Sequence, residues 1–270
     1  MTPVTSPSQV FEAIQRVKAA APAFCTNFFP VESRLQSWID HQELFAEPDD
    51  AVACFFRRDR DFFHFYFSAP NLASLTTATA RLPFLHSRRL TTDVIGQGAA
   101  SLELAAGLEQ AGFRRYSHLV RLARSAAATA PPDSPEVQFA RETDGPSIIR
   151  LLEQNFNPYA DQLPLEYELA QAIARRQILV VQRDSALAAL LYFETQGVSS
   201  VLRFWVVAET FRSSGFGSLL IRHYFASQTG VRRFILWVRA AEETVVQKYK
   251  RYGYAPDGLV DHVLVNPMIP

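Results

Sequence analysis

Neither sign of charge is in excess in this sequence: 27 Lys and Arg face 27 Asp and Glu. A bulk nucleic-acid binder normally carries a basic surplus, so the balance argues against that class while leaving room for a local basic patch. Cysteine is scarce. Cys25 and Cys54 are the only two; they fit no metal-ligand spacing and are expected as buried, reduced thiols, so no metal is expected. Long apolar runs are missing too. No stretch is long enough to span a bilayer, and no charged-then-apolar segment opens the chain. The expectation is a soluble, cytoplasmic protein without a nucleic-acid or membrane partner.

What is present is apolar mass in a repeating order. Hydrophobic residues make up 48% of the 270, enough for a sizeable core in one large or two ordinary domains. RSAAATAPPDSPEV, Arg124 to Val137, is rich in Ala, Pro and Ser and reads as a linker. It divides the chain into a domain over 1–124, a linker over 125–136 and a domain over 137–270.

In the second half, TDGPSIIRLLEQNF and LEYELAQAIARR have helical spacing, with NPYADQLP between them as a loop. ILVVQR, ALAALLYFE and SVLRFWVV read as strands. A glycine loop, a helix from Ser218 to Gln228, the strand RFILWV, a helix from about Glu242 to Arg251 and the strand LVDHVLV complete a mixed α/β arrangement. The first half runs in the same order. Both halves end on a helix, Gly-aromatic and a strand, and placing Gly112 on Gly253 gives an internal repeat offset by 141 residues. The aromatic pair AVACFFRR and DFFHFYFS reads as core strands of the first half.

The loop VAETFRSSGFGSLL places Gly215 and Gly217 between a strand and a helix. The first amides of a helix lack intrahelical partners, and glycines let an anion approach them closely. The helix dipole contributes only about 0.3–1 kcal/mol. Each amide bond to a charged group is worth about 1.5–3 kcal/mol, so converging amides decide the affinity. A phosphate or pyrophosphate is the expected ligand, although glycines also simply end strands.

With its flanks, this loop resembles the acyl-CoA loop of the GNAT acyltransferases, Arg/Gln-x-x-Gly-x-Gly/Ala, with Arg212, Gly215 and Gly217 on the motif positions. LWVRAAEETVVQKYKRYGY resembles the next GNAT segment, in which Tyr249, Gly253 and Tyr254 fall on Tyr-x-x-x-Gly-Phe. The resemblance covers roughly 137–265. It implies two GNAT-like domains in tandem, the first degenerate, and an acyl-CoA-dependent N-acyltransferase, with acetyl-CoA as cosubstrate and a small amine as acceptor. It implies that two parallel strands splay apart around the pantetheine arm. The strand Val201–Val207 would offer its backbone to that arm, and a backbone N–H at a strand bulge near Val206 and Val207 would meet the oxyanion. The segment Arg212, Ser213, Ser214, Gly215, Phe216, Gly217 and Ser218 would cradle the pyrophosphate, with Glu242 and Tyr249 also on the CoA side. Ser213 and Ser214 replace the more usual small-plus-basic pair. Tyr249 would be the acid for the departing thiolate; a helix tyrosine that only packs is the alternative.

The base is less legible. Strand alternation puts Val201, Arg203 and Trp205 on the substrate face, and none is a base. Glu194 and Glu209 are the carboxylate candidates, His262 a third group, and proton loss through water a fourth route. Arg203, Trp205, Tyr159, Asp161 and His262 are the candidate acceptor contacts, Asp161 suiting an ammonium and Arg203 a carboxylate or phosphate. At the repeat offset the loop becomes Asn71–Thr76 and Tyr249 becomes Leu108, so the first half is expected to have lost CoA binding. An acyl-CoA sensor without turnover, and an acyltransferase fed by a carrier protein's pantetheine, are the competing readings.

Overall fold

A computed structural model describes residues 1–21, 24–49, 51–126 and 135–270. Most of the expected linker, 127–134, lies outside the described residues. The chain divides into two compact units, Met1–Leu119 with Leu259–Pro270, and Val120–Gly258.

The first half contributes β1 (Thr2–Pro3), α1 (Pro7–Ala19), β2 (Cys25–Thr26), α2 (Glu32–Asp40), β3 (Leu44–Glu47), β4 (Ala53–Asp59), β5 (Phe62–Ala69), α3 (Leu72–Ala80), β6 (Leu90–Gly96), α4 (Gly98–Gln110) and β7 (Arg114–Ser125). The second contributes β8 (Val137–Phe139), α5 (Gly145–Asn155), α6 (Pro158–Asp161), α7 (Glu166–Ala174), β9 (Ile178–Arg183), β10 (Ala186–Gln196), β11 (Ser199–Val207), α8 (Phe216–Ser227), β12 (Arg233–Arg239), α9 (Glu243–Lys250) and β13 (Ala255–Val265). The shared order bears out the repeat.

The units divide inside strands. The first unit's sheet runs β1-β3-β4-β5-β6-β13, where Val260–Val265 of β13 pair antiparallel with β6. The second runs β8-β9-β10-β11-β12-β7. Each unit closes its sheet with the last strand of the other half, so the units do not follow the expected bounds 1–124 and 137–270. A Pro- and Ala-rich stretch leaves a compositional mark, whereas strand exchange leaves none.

Period-two alternation explains the core. In β5, Phe63, Phe65 and Phe67 join Cys54 and Phe56 of β4 on the face covered by α3 and α4. On the other face Phe55 and Tyr66 pack toward α1 and α2. The aromatic strands are core, as the sequence suggests. Cys54 is buried, and burial together with Asp49 and Glu47 pushes its thiol up to about 12. Cys25 is only half-buried, against expectation, because it lies on the short strand β2.

In the second unit, Ile178, Val180, Leu190, Phe204 and Val206 face α5 and α7, while Leu191, Phe193, Leu202 and Leu236 face α8. NPYADQLP is not all loop. Asn157 accepts bonds from the N–H groups of Tyr159 and Ala160, Pro158 sits in the first turn, and the short helix α6 results.

Candidate functional site

Two parallel strands part in each unit. β11 and β12 are in register from Ser199–Arg233 to Leu202–Leu236; beyond that they separate, although β11 runs on to Val207 and β12 to Arg239. β10 stays paired with β11 throughout, with a register shift where Phe193–Leu202 gives way to Tyr192–Phe204. Arg203 is the extra residue of that bulge, and the bulge coincides with the parting of β11 from β12. It also breaks the alternation expected of Val201, Arg203 and Trp205. Arg203 lies with Phe204 on the α5–α7 face, whereas Trp205 packs with the α8 core. The sequence reading that grouped Trp205 with the acceptor contacts is corrected accordingly. The bulge sits at Arg203, not near Val206 and Val207. The N–H of Ala208 donates to Ala188 of β10, so alternation turns the Val206 amide toward β10 and those of Trp205 and Val207 toward the gap.

At the end of β11 the chain makes a 3-10 turn, Glu209–Phe211, and reaches α8 through Gly215, whose φ of 86° is left-handed. Helix α8 begins at Phe216, two residues earlier than expected, and its N-terminus has no side-chain cap apart from a long 3.4 Å contact from Phe216 N–H to the Ser214 hydroxyl. The N–H groups of Ser213, Gly215, Gly217 and Ser218 have no recorded partner among the described residues. That donor set suits a phosphate or pyrophosphate. Gly217 has a different role from Gly215. A Cβ there would lie 3.3 Å from Val207 Cγ2 and 3.4 Å from Trp205 Cζ2, so this glycine lets α8 pack closely on β11. Arg212 is largely exposed and pairs with Glu209 at 3.6 Å.

Tyr249 of α9 is buried against β11. Its ring lies 5.6 Å from that of Trp205 and 5.8 Å from that of Tyr254. Burial, assisted by Glu242, raises its pKa well above the ordinary phenol value. Its hydroxyl has no recorded partner among the described residues. Tyr252 donates to the Ser218 hydroxyl at 2.8 Å, joining the end of α9 to the first turn of α8.

Two of the acceptor candidates, Arg203 and Asp161, are already engaged by other protein groups. Arg203 donates to the Gln162 carbonyl at 3.1 Å and lies 3.8 Å from Glu194, which also accepts from Tyr192 at 3.2 Å. Asp161 is bound by Arg239 and accepts the Asn157 N–H at 2.7 Å; burial raises its pKa, opposed by Arg239. Arg239 also reaches Glu242 at 3.3 Å. The α6–α7 segment is therefore tied to both parted strands, and Asp161 already holds a cation. Tyr159 is half-buried on α6. Glu209 is mostly exposed beyond the strand end. His262 belongs to the first unit, where it stacks on His118 at 5.1 Å, so it is not among the groups gathered here.

The corresponding gap of the first unit is filled. β5 and β6 share only the pairs Phe63–Leu90 and His64–Thr91. Beyond them the Asn27 amide donates to the carbonyls of Phe65 and Asp93 at 3.1 and 3.0 Å and accepts the Phe67 N–H at 2.8 Å, bridging both strands. The helix beyond is also closed. Asn71 caps α3 through the Ser74 N–H at 2.9 Å, and Leu72 packs onto Gly107 of α4. The missing loop is legible in the sequence and Asn27 is not; one amide within FCTNFF is the available signal, since a polar group inside an aromatic run needs partners.

No protein-family model matches the chain, and no curated protein matches it. Solved structures do. A tandem GNAT protein from the clavulanic acid biosynthesis pathway aligns at 12% identity over 100% of this chain and 98% of its own, with a TM-score of 0.62. The fold is that of GNAT acetyltransferases, in tandem. A GCN5-related N-acetyltransferase from Sphaerobacter thermophilus aligns at 14% identity over 97% of this chain and 91% of its own, TM-score 0.62. One from Kribbella flavida does so at 14%, covering 89% and 97%, TM-score 0.57. Among the described residues no cluster suited to a metal is present, and no helix is long and apolar enough to cross a membrane.

Proposed function

We propose that the chain is an acyl-CoA-dependent N-acyltransferase, with acetyl-CoA as donor and a small amine as acceptor, working from the second unit. The observation that carries this is the parting of β11 and β12 at a bulge, next to a helix start whose amides lack partners. When bound, the thioester supplies an activated acyl group. The amides of Ser213, Gly215, Gly217 and Ser218 bind the pyrophosphate, and the gap-facing backbone of Trp205 and Val207 orients the pantetheine and supplies an oxyanion donor.

Tyr249 faces the donor side with its phenol protonated throughout the working range. A phenol raised above its ordinary value is a weaker acid than a thiol of pKa about 8.5, so Tyr249 stabilises the departing sulfur mainly by donating a hydrogen bond. Glu194 is the better placed of the two carboxylate candidates for removing the amine proton, because it stands on the opposite face beside Arg203 at the bulge. Donor and acceptor then approach the gap from opposite faces. A panel of amines incubated with acetyl-CoA and followed by free-thiol release tests this; release above the hydrolysis background is expected with at least one amine.

The ion pairs that occupy Asp161 and Arg203 favour a second reading, an acyl-CoA sensor. Tight CoA binding without turnover across a broad amine panel would support it over the enzyme.

A further inference from the structure

The amides at the start of α8 can satisfy the oxygens of a pyrophosphate, yet they carry little charge. The loop's one cation, Arg212, is turned toward Glu209 in solvent. A second cation stands nearby. Lys248 of α9 places Nζ 4.3 Å from the centroid of the Trp205 ring. Cζ2 and Nε1 of the same indole lie 3.4 and 3.5 Å from the Cβ position of Gly217, in the first turn of α8. The indole thus spans the interval between the lysine and the unpartnered amides. Among the described residues Lys248 has no carboxylate partner. Glu242, at the start of its helix, is bound by Arg239. Burial against the indole lowers the lysine's pKa, as expected for an ammonium short of compensating charge. The indole Nε1 is itself buried without a partner.

We propose that Lys248 is the cation for the CoA pyrophosphate, resting on the face of Trp205 and moving to the phosphates when the donor binds. This rests on the acyl-CoA reading of the second unit. It supplies the positive charge that Ser213 and Ser214 do not. Lys248 also lies in the last turn of α9, where a cation favours the helix dipole; that role alone would leave CoA affinity unchanged.

The test is titration calorimetry of the full chain with CoA and with dephospho-CoA, which keeps the pyrophosphate and lacks the 3′-phosphate. Lys248→Gln is expected to weaken both ligands by about tenfold, the scale of one charge-assisted contact, and to flatten the dependence of affinity on salt. Lys248→Arg is expected to stay within about threefold of wild type, with unchanged melting temperatures showing that both variants fold. Unaltered CoA affinity in Lys248→Gln overturns the assignment, and so does a loss seen with CoA but not with dephospho-CoA. Failure of the wild-type chain to bind either ligand overturns the acyl-CoA reading itself.

Discussion

Replacing Tyr249 by Phe isolates one hydroxyl. The ring's contacts with Trp205 and Tyr254 remain, and the removed group has no recorded protein partner among the described residues, so stability should change by less than about 1 kcal/mol. CoA affinity should also hold, because the ligand is gripped by backbone amides. The rate should not. A positioned acid is worth about 10²–10⁴-fold, and the raised phenol, together with a thiolate that leaves readily, favours the smaller end. A hundredfold loss corresponds to about 2.7 kcal/mol of transition-state stabilisation. The assay is thiol release under single-turnover conditions with the best acceptor found by screening. Equal losses in kcat and kcat/KM mark an interaction made only in the transition state. Full single-turnover activity in the variant would refute the reasoning and leave Tyr249 as a packing residue.

Gly217→Leu should lower stability by about 1–3 kcal/mol, because the side chain is forced against Val207 and Trp205; thermal melts should show the loss together with weakened CoA binding, and lost binding at unchanged stability would mean the glycine serves the ligand directly. CoA should bind with a stoichiometry of one per chain by calorimetry, since Asn27 spans the first unit's gap; two sites would show that this closure opens. Leu108→Ala should cost about 2–5 kcal/mol in urea unfolding without changing CoA affinity. Burial pushes Asp59 up, but His64, Arg57 and Arg60 together outweigh it and leave the carboxyl below its ordinary value. Its contribution is therefore present above the unfolded pKa of about 4 and fades as pH falls through the lower folded value. Asp59→Asn should reduce the acid dependence of stability, measured by urea unfolding between pH 6 and 3, and an unchanged slope would contradict the assignment.

The chemistry-bearing motifs were legible because they are local. Gly215 and Gly217 mark a strand-to-helix turn, Tyr249 sits at a fixed spacing from Gly253, and neither motif occurs at the repeat positions of the first half. What depends on a partner strand was not legible. The extra residue at Arg203 exists only relative to β10, so alternation alone put Trp205 on the wrong face. Likewise Asp161 meets Arg239 from 78 residues away, and no local pattern announces that its carboxylate is taken. The exchange of β7 and β13 escaped detection because both strands have ordinary composition for either sheet. His262 was misplaced for the same reason.

Amide hydrogen exchange with and without CoA tests the central claim most directly, because it reports both the ligand and its place. CoA should slow exchange in 203–218, with the amides of Ser213, Gly215, Gly217 and Ser218 most affected, and leave 65–76 and the Asn27 segment unchanged. Protection confined to 65–76, or none anywhere at saturating CoA, would contradict the account.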